Sequence, residues 1–352
     1  DYPLAYALHL GLAEGLYLAG EIDAADAAFE RLSARVTSPL DALSVRSLRV
    51  TLYVAIGRST QAIELGVEAL RRAGVDIPGD DEGLAAAAAA ERARLDERFA
   101  ARPLGARIDD PPAQDPVIRA VIKVMTDLMA PTQLTRQRLF EYLCLKQINL
   151  SLEHGHADAS PYGYLVYAFY LTTVAGPVRE AYDFGEAALA LNERLGAADQ
   201  ASRLNVVFGS ILHASRPLPE VLDFFERARL AGLEGGDYIF ASYACSHAAI
   251  AQLGLGIRVD ALLVAVDDAL TLMRRTRVAS STAALQITRQ LALALRGDTA
   301  APTRLGDAAF DEDAAFAAFD QGRLSFAALW YCSARLALAV LHRDDAAASR
   351  WM

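Results

Sequence analysis

Hydrophobic positions in this chain recur at the spacing of helix faces, and short polar turns separate the apolar runs. In residues 16–32, LYLAGEIDAADAAFERL, one apolar run ends at Gly20, and Ala25 and Phe29 then share a face of a second amphipathic stretch. Small residues at such positions let two antiparallel helices approach closely, and an aromatic residue fills the space toward a neighbouring pair. The pattern predicts a helical hairpin.

The same turn pattern returns along the chain. It occurs at residues 57, 176, 216, 256 and 297 and near residue 343, with an arginine in place of the glycine at Arg216. From Gly176 onward the turns lie about 40 residues apart, a spacing typical of helical-repeat arrays. Because one hairpin cannot cover its own apolar face, the hairpins have to stack. The sequence therefore predicts an all-α protein, a single solenoid over residues 1–352.

Residues from about 80 to 157 depart from this alternation. The alanine-rich segment 84–99 has high helix propensity, and its charged residues suggest a solvated face. A proline-rich connector follows over 101–116, and two more helices come after it. Since three helices do not fit paired hairpins, we predict an irregular helical insert. Its alanine-rich helix is expected to lie across the surface or to cap a hairpin.

The composition of the chain disfavours some binding partners and some cellular locations. The net charge is −10, which disfavours nucleic acid and anionic membrane surfaces as partners. Three cysteines without metal-type spacing indicate a reducing cytoplasm. The uncharged stretches 159–178 and 238–257 are as long as a membrane span, but their small and polar residues and the charged segments that follow indicate buried helices. The expected location is cytoplasmic.

The turn-Ala-aromatic-Ala pattern resembles tetratricopeptide repeats in a longer variant. The order RSLRVTLYVAIGRSTQAIELGVEALRRAGVDIP, LKQINLSLEHG, YGYLVYAFYLTTVAG, VFGSILHASRPL and AGLEGGDYIFASYACSHA is similar to the helical region that follows the ATPase module of large bacterial signalling proteins. These are STAND-like ATPases joined to serine/threonine kinase, GAF and histidine kinase modules. The resemblance implies a right-handed α-α superhelix. The start at Asp1 and the end inside a second helix at Met352 suggest a piece of a longer chain.

No catalytic or cofactor signature is present in the sequence. The chain contains no phosphate-binding loop, histidine kinase box, H-R-D loop, H-E-x-x-H or G-x-S-x-G motif. The family carries its catalysis in other modules, so we predict a non-enzyme that needs no cofactor. His154 and His156 in EHGHAD lack a third ligand, and a polar helix end explains them better than a metal.

A contrast between helices suggests where partners bind. The first helices of the later hairpins have no carboxylates and hardly any full charge, whereas their partner helices are strongly amphipathic. In a superhelix of this type the first helices line the concave side. A nearly neutral wall of aromatics, hydroxyls and histidines suits a small neutral or apolar ligand, or a docked domain.

Repeat position places particular side chains toward this concave side. The predicted ligand- or partner-binding residues are Tyr170, Arg203, His213 and Tyr243, then His247, which lies one residue off this face, and Lys146 and Asn149 on the insert. Weaker candidates on the same faces are Glu14, Tyr17, Glu153, Thr173, Ser210 and Ser246. Each has a structural alternative: tyrosines pack in cores, histidines tie adjacent hairpins, and Lys146 with Glu153 can be a structural pair. Arg203 is the best candidate, because a half-buried guanidinium requires an anionic or carbonyl partner.

Two functional hypotheses follow. In the first, the chain is the sensor arm of a signalling ATPase or kinase and binds a protein partner or small ligand on its concave face. In the second, it is a passive scaffold that docks the adjacent ATPase or kinase module or a peptide, without a small ligand. An enclosed cavity lined by tyrosines favours the first, and an exposed apolar strip favours the second.

Overall fold

A computed structural model describes residues 1–173, 178–212, 216–276, 278–321 and 325–352, and this part of the chain is helical without β-strands. The helices, with one 3-10 turn at Ala198–Gln200, are α1 Tyr2–Leu18, α2 Ile22–Ser33, α3 Pro39–Ala55, α4 Ser59–Arg72, α5 Asp81–Ala101, α6 Leu104–Arg107, α7 Pro116–Thr135, α8 Gln137–His154, α9 Ser160–Thr173, α10 Val178–Leu195, α11 Ala201–Leu212, α12 Leu218–Gly235, α13 Tyr238–Gly254, α14 Val259–Thr276, α15 Ala279–Arg296, α16 Glu312–Gln321, α17 Ser325–Leu341 and α18 Asp345–Trp351. The all-α prediction is confirmed. The right-handed superhelix stays a prediction.

The chain divides into two compact units, Asp1–Ser215 and Arg216–Met352. In the first unit, α1 pairs with α2 and α3 with α4, as the turn pattern predicts. Helix α7 then packs on α3 and α4, α8 packs on α7, and α9 packs on α8, α10 and α11. Whether the two units form the single continuous array remains a prediction.

The second unit continues the same kind of packing. Helix α13 packs on α12 and α14, α15 packs on α14, and α17 packs on α15, α16 and α18. Gly297 ends α15 as predicted, but the next helix, α16, begins only at Glu312. Residues 298–311 between them are not helical, and Arg304 from this stretch pairs with the buried Glu312.

The predicted hairpin turns share one backbone geometry. Gly20, Gly57, Gly256 and Gly297 all have positive φ, and each is followed by an amide that bonds back to the carbonyl five residues earlier, as in Arg58 to Tyr53 at 2.8 Å. This left-handed turn ends a helix at little cost only when a glycine occupies it. Gly176 lies outside the described residues. Residues 213–215, directly before the predicted turn residue Arg216, also lie outside the described residues.

Arg343 takes the same turn without being a glycine. Its φ is 55°, and Asp344 bonds back to Ala339 at 2.9 Å. Since the left-handed conformation costs a side chain about 1 kcal/mol or more, Arg343→Gly is expected to raise the free energy of unfolding by about 1 kcal/mol. Urea unfolding followed by tryptophan fluorescence measures this, because Trp330 and Trp351 both lie in the second unit. Arg343→Ala keeps the strain and should bring no gain; an equal gain would refute the explanation.

The alanine-rich helix of the insert lies at the surface, with one face buried against α8 and the opposite side exposed. Helix α5 packs along α8 and buries Leu84, Ala88, Glu91 and Leu95, which recur at the spacing of one helix face. Glu91, which the sequence pattern assigned to a solvated face, is therefore in the interior. A buried carboxylate needs partners, and α8 supplies them, as described below.

Where the structure describes them, the two long uncharged stretches form the largely buried helices α9 and α13. Nearly all of α9 from Ser160 to Leu171 is buried, and α13 buries one broad face. Within the described ranges, no helix combines the length and the apolar character that crossing a bilayer requires. Helix α9 thus lacks charges because other helices enclose it, so its composition is not evidence for a neutral binding wall.

Candidate functional site

The predicted insert residues Lys146 and Asn149 share one face of α8, and this face receives Glu91 of α5. Lys146 Nζ lies 2.9 Å from Glu91 Oε1, and Asn149 Nδ2 donates to the main-chain oxygen and Oε2 of Glu91 at 2.8 and 2.9 Å. Arg94 adds a bond of 2.9 Å to the same carboxylate. Glu153 pairs with Arg98 instead of Lys146. These residues fasten the insert to α8.

Arg203 was predicted to need an anionic partner, and this partner is a carboxylate of the same chain, Asp127. Its Nη1 lies 3.0 Å from Asp127 Oδ1. Lys123 Nζ lies 2.7 Å from both oxygens of Asp127, and Ser47 donates to Oδ2. The Asp127 side chain is only 1% exposed, whereas that of Lys123 is 35% exposed. This network joins α3, α7 and α11.

Tyr170 is half-buried and also bonded within the chain. Its hydroxyl donates to Glu141 at 2.7 Å, and its ring packs against Phe140 and Tyr167. Burial, followed by the hydrogen bond to Glu141, raises the pKa of the Tyr170 hydroxyl above its usual value. The neighbouring Thr173 bonds to the main chain of its own helix. A ligand at Tyr170 would have to compete with Glu141.

In the second unit, Tyr243 and His247 lie one turn apart on α13. His247 donates from Nδ1 to the main-chain oxygen of Tyr243 at 2.8 Å, and its ring stacks on Phe326 and packs beside Phe225. Burial lowers the pKa of His247 below 6.5. Ser246 is buried and bonds to its own helix. The predicted site residue His213 lies outside the described residues.

Within the first unit, the structure thus places Lys146 with Asn149, Arg203, and Tyr170 in three separate networks. A different surface stands out on α1. Four leucines of this helix are more than half exposed, and they recur with Gly11 and Gly15 on one side of it: Leu4 at 58%, Leu8 at 65%, Leu12 at 52% and Leu18 at 54%. We call this surface the α1 face. Nothing lies within 4 Å of a Cβ placed on either glycine.

Comparison of the first two hairpins shows what kind of element covers such a face. The two hairpins can be aligned by their turn glycines, Gly20 and Gly57. In this alignment the α1 positions Leu8, Gly11, Leu12 and Gly15 correspond to the α3 positions Val45, Leu48, Arg49 and Leu52. Val45 and Leu52 are fully buried in one core cluster with the α2 residues Ala25, Ala28, Phe29 and Leu32. Arg49 pairs with Asp26 of α2 at 2.7 Å. On α3, therefore, these positions face the second helix of the preceding hairpin.

The formally charged side chains near the α1 face are all acidic. Residues 1–20 contain Asp1 and Glu14 and no lysine or arginine. Glu14 and Tyr17, two weaker candidates from the sequence, are half-buried at the edge of α1. Sequence reasoning missed the α1 face because its leucines have the spacing of an ordinary buried face. Their number and regularity gave a signal, but only the packing shows that no described part of the first unit covers them.

Comparisons with known proteins add little to this geometry. No protein-family model matches the chain, and no curated protein matches it significantly. Among solved structures, BtubC (BKLC) from P. vanneervenii is similar with a TM-score of 0.43 and 14% identity, over 70% of this chain and 92% of that chain. At this TM-score the likeness carries no conclusion about fold or function, and the proposal below rests on the contacts of the chain itself.

Proposed function

We propose that this chain is a non-catalytic interaction module of a bacterial signalling ATPase or kinase, and that the α1 face docks a helix of the adjacent module or of a partner protein. The setting comes from the resemblance to helical regions of STAND-like proteins. The observation that carries the docking role is the exposed leucine row of α1, because an apolar patch of this kind marks an interaction surface.

The occupant of this face is an amphipathic helix of the α2 type. The equivalent face of α3 is covered by α2 through alanines at close approach and the larger Phe29 and Leu32. Gly11 and Gly15 leave a shallow channel between the leucines, into which the side chains of a second helix fit as ridges into grooves. Because the acidic side chains of residues 1–20 are Asp1 and Glu14 and no lysine or arginine is present there, arginines or lysines beside the apolar strip of the partner fit best.

The alternative, a small ligand at the predicted residues, has less support. A ligand bound by Arg203 would compete with the carboxylate of Asp127, and one bound by Lys146 and Asn149 would compete with Glu91. Displacing either carboxylate would leave a buried charge without its partners, which is costly. The docking role requires no such rearrangement.

Site-specific photo-cross-linking in the full-length protein tests this role. A photoreactive phenylalanine at position 8 is expected to cross-link to a helical segment of an ATPase or kinase module, in the same polypeptide or in a partner. The matched control is position 264, because Val264 is 64% exposed but belongs to α14 of the second unit. Leu8→Glu should abolish docking, since it buries a charge against the partner. Capture of an unrelated protein, or equal capture from both positions, would contradict the proposal.

A further inference from the structure

Helix α17 has one side that no described helix of the second unit covers. Leu329 is 61% exposed and Val340 is 63% exposed, and Ser333 and Ala337 between them are exposed as well. The spacing of these four residues places them on one side of the helix. We call this surface the α17 face. It belongs to the second unit, whereas the α1 face belongs to the first.

The packing of α15 shows which kind of element covers such a face. Helices α15 and α17 end in the same left-handed turn, at Gly297 and Arg343, and the amide after each turn residue bonds back to the carbonyl five residues earlier. When the two helices are aligned on these turns, the α17 face corresponds to four residues of α15: Ala283, Ile287, Leu291 and Ala294. All four are buried in one core cluster with residues of α17. On α15, therefore, this side is covered by the first helix of the next hairpin.

The residues with which α17 covers α15 identify the matching surface. The α17 members of the shared core cluster are Ala327, Tyr331, Ala334 and Leu338. When α17 and α1 are aligned on Arg343 and Gly20, these residues correspond to four positions of the α1 face: Leu4, Leu8, Gly11 and Gly15. All four are exposed. The chain thus carries both halves of one repeat contact, and each half is exposed in its own unit.

We propose that the α17 face of one copy of this chain binds the α1 face of a second copy, head to tail, so that α1 packs on α17 as α17 packs on α15. The inference rests on the proposed docking role of α1 and names a further occupant of that face. A second copy and the ATPase or kinase module therefore compete for it. The contact is heterologous, because each copy contributes a different surface.

The sizes of the side chains fit this arrangement. In the register that α17 takes on α15, Leu8 of the docked helix lies within two residues of the level of Ser333. In the same register Gly15 lies within two residues of the level of Val340. A large side chain therefore meets a small residue at both levels, which permits close packing of the two helices.

The charges across the contact are also complementary. Helix α17 has no carboxylate that would repel Glu14 of α1. The exposed Arg350 of α18 follows its turn by seven residues and Glu14 precedes its turn by six, so docking in register brings both to about the same level. At this level of the first two hairpins, Arg49 of α3 pairs with Asp26 of α2. Opposite charges at the edge of a contact favour one register over others.

Sedimentation equilibrium over a concentration series, with two variants and their mixture, tests the inference. The mass of the wild type should rise with concentration. Leu8→Glu and Val340→Glu each place a charge in the contact, so each variant alone should associate about tenfold or more weakly than the wild type. An equimolar mixture should form a dimer with one copy of each variant and grow no further, because each variant retains the face that the other lacks.

Val264→Glu is the matched control. Val264 is 64% exposed and belongs to α14, which carries neither face, so this variant should associate like the wild type. The inference is overturned if the wild type stays monomeric up to about 1 mM, if only one of the two face variants loses association, or if their mixture contains no mixed dimer.

These failures can be told apart from a failure of the docking role. Cross-linking from position 8 to a module does not involve Val340, so a module captured by wild type and by Val340→Glu alike keeps the docking role even if no copies associate. A mixed dimer without capture of a module would refute the proposed function and leave the contact between copies in place.

Discussion

Replacing Asp127 by asparagine is expected to lower the free energy of unfolding by about 3 kcal/mol at pH 7. The Asp127 carboxylate is almost fully buried and accepts from Lys123, Arg203 and Ser47. Asparagine has the same shape but no charge, so the guanidinium of Arg203, whose side chain is 11% exposed, loses its anionic partner in the interior. Urea unfolding followed by circular dichroism measures the loss.

The loss should depend on pH. Burial alone would raise the pKa of the Asp127 carboxyl, but the charges of Lys123 and Arg203, with the bonds from Lys123 and Ser47, outweigh burial and hold the pKa below 3.8. A carboxyl with a lower pKa in the folded state stabilises the fold above its unfolded pKa, and this contribution disappears as the pH falls through the folded pKa. The difference between wild type and Asp127→Asn is therefore expected to be complete at pH 7 and to shrink below about pH 4.

Asp267 provides the matched control for this substitution. It also pairs with an arginine, Arg289 at 2.7 Å, but its side chain is 54% exposed. Exposed ion pairs contribute about 1 kcal/mol or less, so Asp267→Asn should have a small effect at any pH. Two results would contradict the role of burial. One is an equal loss of unfolding free energy from Asp127→Asn and Asp267→Asn. The other is a stability difference between wild type and Asp127→Asn that is as large at pH 3 as at pH 7.

Gly155→Ala is expected to destabilise the protein by about 3 kcal/mol. Gly155 follows α8 with φ 94° and ψ 168°, a region that is essentially reserved for glycine. A Cβ there would lie 2.5 Å from the main-chain oxygen of Pro111 and 2.8 Å from the amide of Ala113. Main-chain atoms cannot rotate away, so the main-chain bonds of Pro111 and Ala113 with His156 have to break. Urea unfolding gives the loss, and faster hydrogen exchange at the His156 amide would locate it.

Gly57→Ala is the control that measures the cost of positive φ without a steric clash. Gly57 also has positive φ, at 76°, but nothing lies within 4 Å of its hypothetical Cβ. Its substitution should cost about 1 kcal/mol, the strain of the left-handed conformation alone. An equal loss at both glycines would mean that close approach of the connector contributes nothing.

The hairpins could be predicted from the sequence because their signals are local. A glycine at the end of an apolar run marks a left-handed turn, and Gly20 and Gly57 have that conformation. Likewise, Pro39 and Pro116 predict helix starts, and α3 and α7 begin at these residues. Such features depend on a few neighbouring residues, so a single sequence contains the necessary information.

The partners of the charged residues could not be predicted, because they are distant in sequence. The need of Arg203 for an anion followed from its apolar surroundings, but Asp127 is 76 positions away and many carboxylates were equally plausible. Glu91 looked like part of a solvated face until α8 covered it. The α1 face could not be predicted for the opposite reason. Its leucines have the spacing of a buried face, but they are exposed because no described helix packs against them.

A binding titration on the α1 face tests the central claim most directly. The ligand is a helix-stabilised peptide of residues 21–36, the segment that contains α2 and covers the equivalent face of α3. We predict saturable binding to the protein, weakened about tenfold or more by Leu8→Glu and unchanged by Val264→Glu, since only Leu8 lies on the α1 face. Absence of binding, or binding that Leu8→Glu leaves intact, would contradict the claim that the α1 face docks a helix.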